Sequence, residues 1–128
     1  MVDIAKIIAS DRTIEIHDPA DGDTPLGIQV TLHSPDNPTL MRLQKKIADK
    51  IISYRRRNKN YSADEMEADK IELLSAAISG WNWNDNTYKG KSVEFNPATV
   101  ADVLTNVPWF RKQIDEELGD EKAFFHKK

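Results

Sequence analysis

IELLSAAISGWNW, residues Ile71 to Trp83, is the densest apolar segment in a chain of 128 residues of which 30% are charged. Leu74, Ile78 and Trp81 recur at helical spacing, and Leu73 and Ala77 widen the stripe. Gly80 falls where a helix ends on a left-handed residue. The spacing predicts a helix that stops at or near Gly80, with Trp81 and Trp83 on the loop that leaves it. One reading packs the two indoles into the core around the helix end. The other keeps one ring partly exposed as an anchor for a partner, because tryptophan is enriched at binding hot spots.

Upstream, Ser62 stands three residues before Glu65, a capping-box pattern, and Asp64, Glu65, Glu67 and Asp69 load the first turns of this helix with negative charge. Before it, Leu40, Leu43, Ile47 and Ile51 follow spacings of three and four from about Pro38 to about Arg57. The other face of that helix is basic, with Arg42, Lys45, Lys46 and Lys50, and its end carries Arg55, Arg56 and Arg57. A short linker between a basic and an acidic helix predicts an antiparallel helical hairpin. Each exposed ion pair adds only about 0–1 kcal/mol, so the apolar stripes are expected to hold it together.

Further upstream, residues 13–17 and 28–33 alternate apolar and polar residues around a loop rich in Asp, Pro and Gly. They predict a β-hairpin that sets Ile14, Ile16, Ile28, Val30 and Leu32 against one covering layer. Residues 1–12 are read as a short strand or a mobile arm. Downstream, Ser92 to Phe95 reads as a short extended run. Asn96 caps and Pro97 opens a helix with Val100, Val103, Leu104 and Val107 on one face, and Pro108 restarts a fourth helix through Trp109, Phe110, Ile114 and Leu118. A last turn holds Phe124 and Phe125, and residues 126–128 are read as a flexible tail. The expected fold is a single α+β domain over residues 1–128, mainly α: an N-terminal β-hairpin, then an antiparallel helical hairpin, then two shorter C-terminal helices.

Composition narrows the function. The absence of cysteine removes thiolate catalysis, disulfides and cysteine-ligated zinc. A net charge of −3 favours neither general nucleic-acid affinity nor an acidic tail. No segment has the length of a membrane span or the core of a signal peptide, so a soluble, cytoplasmic protein is expected, with no membrane partner. His17 and His33 are expected near each other across the hairpin, a conceivable metal pair with Asp18 or Asp36, but catalytic zinc wants three protein ligands and no metal or cofactor is assigned. Neither a GxSxG elbow, a P-loop nor an HExxH helix is present, and the chain is read as no enzyme. The run from Tyr54 to Tyr61, with Arg55, Arg56, Arg57 and Lys59, is the best nucleic-acid feature, able to contact phosphates and stack a base on a tyrosine. The adjacent acidic helix start opposes it, and no nucleic-acid partner is assigned.

The order of Leu32-His33-Ser34-Pro35-Asp36 ahead of a basic helix, Ile78-Ser79-Gly80-Trp81, Phe95-Asn96, Val103-Leu104 with Pro108-Trp109, and Ile114 ahead of Phe124 resembles the small tail assembly chaperones of long-tailed bacteriophages and prophages. The resemblance runs from Ile14 to Phe125. It implies a protein that acts in the host bacterial cytoplasm during assembly and is absent from the mature virion. It implies two partners, the tape measure protein, which it keeps soluble, and the tail tube protein, which it helps recruit, and it is compatible with self-association. Many such phages also make an extended form by ribosomal frameshifting; this chain would match the short form. Candidate anchors are Trp81, Trp83, Trp109, Phe110, Phe124 and Phe125. Trp81 and Phe110 are expected in the core, and Trp83 and the Phe124-Phe125 pair at the interface. Two rival readings stand beside this one: a tube or terminator subunit retained in the virion, and a small nucleic-acid-binding regulator using Arg55 to Lys59.

Overall fold

The computed structural model describes residues 1–127, with side chains as far as residue 125. Strand β1 (Ile7–Ala9) follows a single 3-10 turn, and β2 (Arg12–His17) and β3 (Pro25–Leu32) form the expected hairpin. Helices α1 (Pro38–Arg56) and α2 (Ala63–Ala77) are antiparallel neighbours. Strand β4 (Ile78–Asn82) leaves α2 directly, and α3 (Pro97–Asn106), α4 (Pro108–Gly119), a 3-10 turn (Glu121–Phe124) and β5 (Phe125–Lys127) complete the chain. The mainly helical α+β architecture agrees with the sequence reading.

The hairpin loop is held by Asp21, whose carboxylate accepts from the Thr24 hydroxyl at 2.5 Å and from the Asp23 and Thr24 amides. The Thr24 hydroxyl bond, foremost among these, lowers the Asp21 pKa to about 2. Register runs from Arg12 opposite Leu32 to His17 opposite Pro25, and period-2 alternation sends Ile14, Ile16, Ile28, Val30 and Leu32 to one buried face. His17 therefore sits at the loop end and His33 beyond the open end, level with Asp11 and six residue steps away, roughly 20 Å at about 3.3 Å per residue. The expected histidine pair does not form. Among the described residues no group of three or more His, Asp or Glu side chains is placed to hold a metal ion.

The opening stretch behaves differently from its helical spacing. The helix ends at Ala77, and Ile78 to Asn82 becomes a third strand, giving the sheet order β2-β3-β4. Trp81 stands opposite Val30 and Gly80 opposite Thr31, while the His33 amide donates to the Ala77 carbonyl at 2.8 Å. The reason is nonlocal. The free edge of β3 offers unpaired backbone groups that a helix running on to Gly80 would leave unsatisfied. Gly80 is not left-handed, so it is a strand residue and not a helix cap.

Both C-terminal helices begin as expected. The Asn96 side chain accepts from the Thr99 amide at 2.8 Å, Pro97 opens α3 and Pro108 opens α4. Val100, Val103 and Leu104 of α3 and Phe110 and Ile114 of α4 join the sheet face, Leu74 and Ile78 in one core cluster. Ion pairs Arg111–Glu67 at 3.1 Å and Lys70–Asp115 at 3.2 Å tie α4 to α2. Residues 92–95 form no strand. The chain ends meet: β1 pairs antiparallel with β5, Ala9 opposite Phe125 and Ile7 opposite Lys127. Ile7–Ala9 thus takes the strand alternative, and His126 and Lys127, expected in a flexible tail, have backbone in that pair, whereas Lys128 lies outside the described residues.

Candidate interaction surfaces

Five aromatic rings join into a chain of contacts that starts in the core and ends at the surface. Trp83 stacks on Phe110 with centroids 5.6 Å apart and planes at 19°. Trp81 meets Trp83, Phe95 and Phe110 edge to face at 5.5, 5.7 and 6.3 Å, and Trp109 meets Phe110 at 6.1 Å. Trp83 is only 8% exposed, and Phe110 is fully buried as expected. Trp81 is partly buried against the core. Trp83, expected at an interface, is thus the buried ring, and Trp81, expected in the core, packs against it while only partly covered.

This arrangement follows from β4 and from the loop after it. Asn86 Nδ2 donates to the carbonyls of Leu26 and Trp83 at 2.8 and 2.9 Å, and Asn84 Nδ2 donates to the Gly27 carbonyl at 2.5 Å. These bonds fold the loop back over the hairpin and bury Trp83 beneath it. Gly27 suits this crossing because its φ of +78° lies in the left-handed region that L side chains rarely adopt.

Phe124, expected at an interface, is 1% exposed. The 3-10 turn folds it inward, its carbonyl accepts from the Ser10 amide at 2.9 Å, and the Arg12 guanidinium covers its ring at 5.6 Å. Arg12 is itself held by Glu117 at 2.6 Å. Phe125 remains about half exposed. Of the expected anchors, the aromatic chain gathers Trp81, Trp83, Trp109 and Phe110; Phe124 and Phe125 lie apart from it. The chain surfaces at Trp109, 37% exposed, and at Phe95, 46% exposed. Phe95 was no expected anchor, although its place just before the Asn96 cap is where an apolar residue packs on the fourth helical residue, here Val100. Phe95, Val100, Ile78, Pro97, Ala76 and Ser75 line a cavity of about 310 Å³.

The second surface is the helical hairpin. Helix α1 is 19 residues long, yet Leu40 is its only buried residue. Among the described residues the core cluster draws none from α1. Leu43, Ile47 and Ile51 are half-buried towards α2. Helical spacing puts Met41, Ala48 and Ile52 on the neighbouring stripe, and Met41 and Ile52 are 54% and 45% exposed. An open groove of about 300 Å³ runs between the helices, with Ile47 and Ile51 on one wall, Met66 and Leu73 on the other, and Tyr61, Asp69 and Lys70 also lining it.

A polar clasp closes the hairpin. Lys50 Nζ donates to both Asp69 oxygens at 3.1 and 3.0 Å, the Tyr61 hydroxyl donates to Asp69 Oδ2 at 2.6 Å, and the Tyr54 hydroxyl donates to Glu65 at 2.7 Å. The Tyr61 bond, with Lys50, holds the buried Asp69 carboxyl below the usual range against the cost of burial. The bond to Asp69 likewise raises the pKa values of Lys50 and Tyr61. Charged groups therefore share with the apolar stripes the task of holding this hairpin. Lys59 lies over the Tyr54 ring at 4.4 Å, with Arg57 at 5.5 Å, and Tyr54 and Tyr61 meet edge to face. The two tyrosines offered for base stacking are thus engaged within the protein.

Comparison with family models, with curated proteins and with solved structures finds no match to this chain. Among the described residues no helix is long and apolar enough to cross a membrane.

Proposed function

We propose that this chain is a non-enzymatic phage tail assembly chaperone that binds the helix-rich tape measure protein, keeps it soluble and helps bring tail tube subunits to it. The reading places it in the host cytoplasm during assembly and outside the finished particle. The observation that supports it is α1, a helix whose apolar face is wider than α2 covers, with Met41 and Ile52 left exposed beside an open, largely apolar groove of about 300 Å³. A chaperone for a long amphipathic client needs an apolar seat on a charged, soluble body, so that client helices bury their stripes on it instead of on each other. The residues that carry the family resemblance supply the choice of client.

The test is co-expression with a candidate tape measure protein. The expected result is a soluble client that co-purifies with the chain, and loss of both in an Ile51→Asp, Ile52→Asp variant that still folds. A client equally insoluble with and without the chain would sink the reading. Abundant copies in purified virions, seen by mass spectrometry, would favour a structural tail subunit instead.

A further inference from the structure

The groove and its rim differ in charge from the chain as a whole. Helix α1 carries Arg42, Lys45, Lys46, Lys50, Arg55 and Arg56 against a single carboxylate, Asp49, although the chain is net negative. Lys45, Arg55 and Arg56 lie within one or two helical turns of Ile52 and border the exposed stripe. Among the described residues none of these three has a carboxylate within ion-pair distance. The carboxylate within the groove, Asp69, is consumed by Lys50 and Tyr61. Lys70, also in the groove, is paired outward with Asp115. Helical spacing puts Asp49, the one carboxylate of α1, on this border three residues before Ile52, so the border of the exposed stripe is predominantly but not wholly positive.

From this complementarity we infer that the groove takes an amphipathic helix whose flanks are acidic. The inference rests on the chaperone reading and adds to it the chemistry of the client segment. A helix laid with its apolar stripe on Ile47, Ile51, Ile52 and Met66 brings residues beside that stripe to Lys45, Arg55 and Arg56. Glutamate or aspartate there gains attraction at the rim, and lysine or arginine meets repulsion. An anionic membrane shares the charge preference, but the seat is a concave groove between two helices, which fits a rod better than a flat bilayer, and the exposed apolar residues of α1 include no aromatic ring of the kind that anchors an interfacial helix.

The experiment uses the full chain and two labelled peptides of the length of α1, 19 residues. Both carry leucine at i, i+3, i+4 and i+7 spacing; one has glutamate beside the stripe and the other lysine. Fluorescence anisotropy is expected to show the acidic peptide binding roughly tenfold more tightly, a difference that shrinks in about 0.5 M salt. Lys45→Glu, Arg55→Glu and Arg56→Glu together are expected to reverse the preference, and Ile52→Asp to remove binding of both peptides. Equal binding of the two peptides, or binding of neither, overturns the acidic-helix assignment while leaving the co-expression result to judge the chaperone reading. Self-association that occupies the groove and is lost in Ile52→Asp, or Ile52-dependent binding to phosphatidylserine vesicles without peptide binding, also overturns it.

Discussion

Strand β3 and helix α1 both present an apolar stripe, yet Ile28, Val30 and Leu32 of the strand are buried while Met41 and Ile52 of the helix stand about half exposed. The strand is covered on one face and hydrogen-bonded on both edges, so its side chains are part of the core. The helix packs chiefly against α2, which it meets through a half-buried stripe and a polar clasp. Equivalent residue types thus contribute stability in one place and accessible surface in the other. Position in the layers decides which.

The largest expected effect lies on the core side. Phe110→Ala and Trp83→Ala should each cost about 3–5 kcal/mol in urea denaturation, and Trp81→Ala clearly less, because Trp81 is only partly covered. A Trp81 variant less stable than the Trp83 variant would reverse the assignment of the two rings. Next comes Asn96→Ala, expected to lower stability by about 1 kcal/mol through loss of the α3 cap. An unchanged midpoint would show that Pro97 alone fixes that helix start.

Acid should separate the two regions without mutation. The Asp69 pKa is lower folded than unfolded, so its contribution is complete above about pH 4 and is lost as pH falls through the folded value. Lys50 and Tyr61 are raised, so theirs are complete below about pH 10 and are lost on the alkaline side. Protection of amides in residues 50–69, relative to their intrinsic exchange rate at each pH, is expected to fall in acid before that of β3 does, and Asp69→Asn to remove that difference. Simultaneous loss of protection in both regions would mean that the clasp is no separate unit. The smallest effect is expected from Ile52→Ala, within about 0.5 kcal/mol of the parent protein, together with a clear loss of client binding. A large loss of stability would place Ile52 in a contact that its exposure does not show.

Much of this division was legible in the sequence because it rests on local periodicity. The hairpin alternation, the α1 and α2 stripes, the Ser62 and Asn96 caps and the two proline starts needed only neighbours in the chain. The extent of α2 did not follow, because Leu74, Ile78 and Trp81 keep helical spacing and the competing strand is decided by β3, more than 40 residues away in sequence. On that strand Trp81 packs against the core but is only partly covered. The loop that buries Trp83 depends on Asn84 and Asn86 reaching back to Gly27 and Leu26, contacts invisible to any window of neighbouring residues. Surface exposure of the aromatics was partly legible: Trp109 and Phe125, both candidates, are exposed, whereas Phe95, read as the end of a short extended run, was not among the candidates. The histidine positions needed only the antiparallel register, which puts one beside the loop and the other beyond the open end.

The absence of slack between α2 and β4 bears on how tightly a partner can be held. Ala77 ends the helix and Ile78 opens the strand, with the His33 amide bonded across the junction. The groove wall is therefore geared to the sheet and has no hinge at this junction about which to swing. If the proposed client binds here, it forfeits less orientational freedom than it would on a tethered arm, so a modest apolar contact would translate into useful affinity.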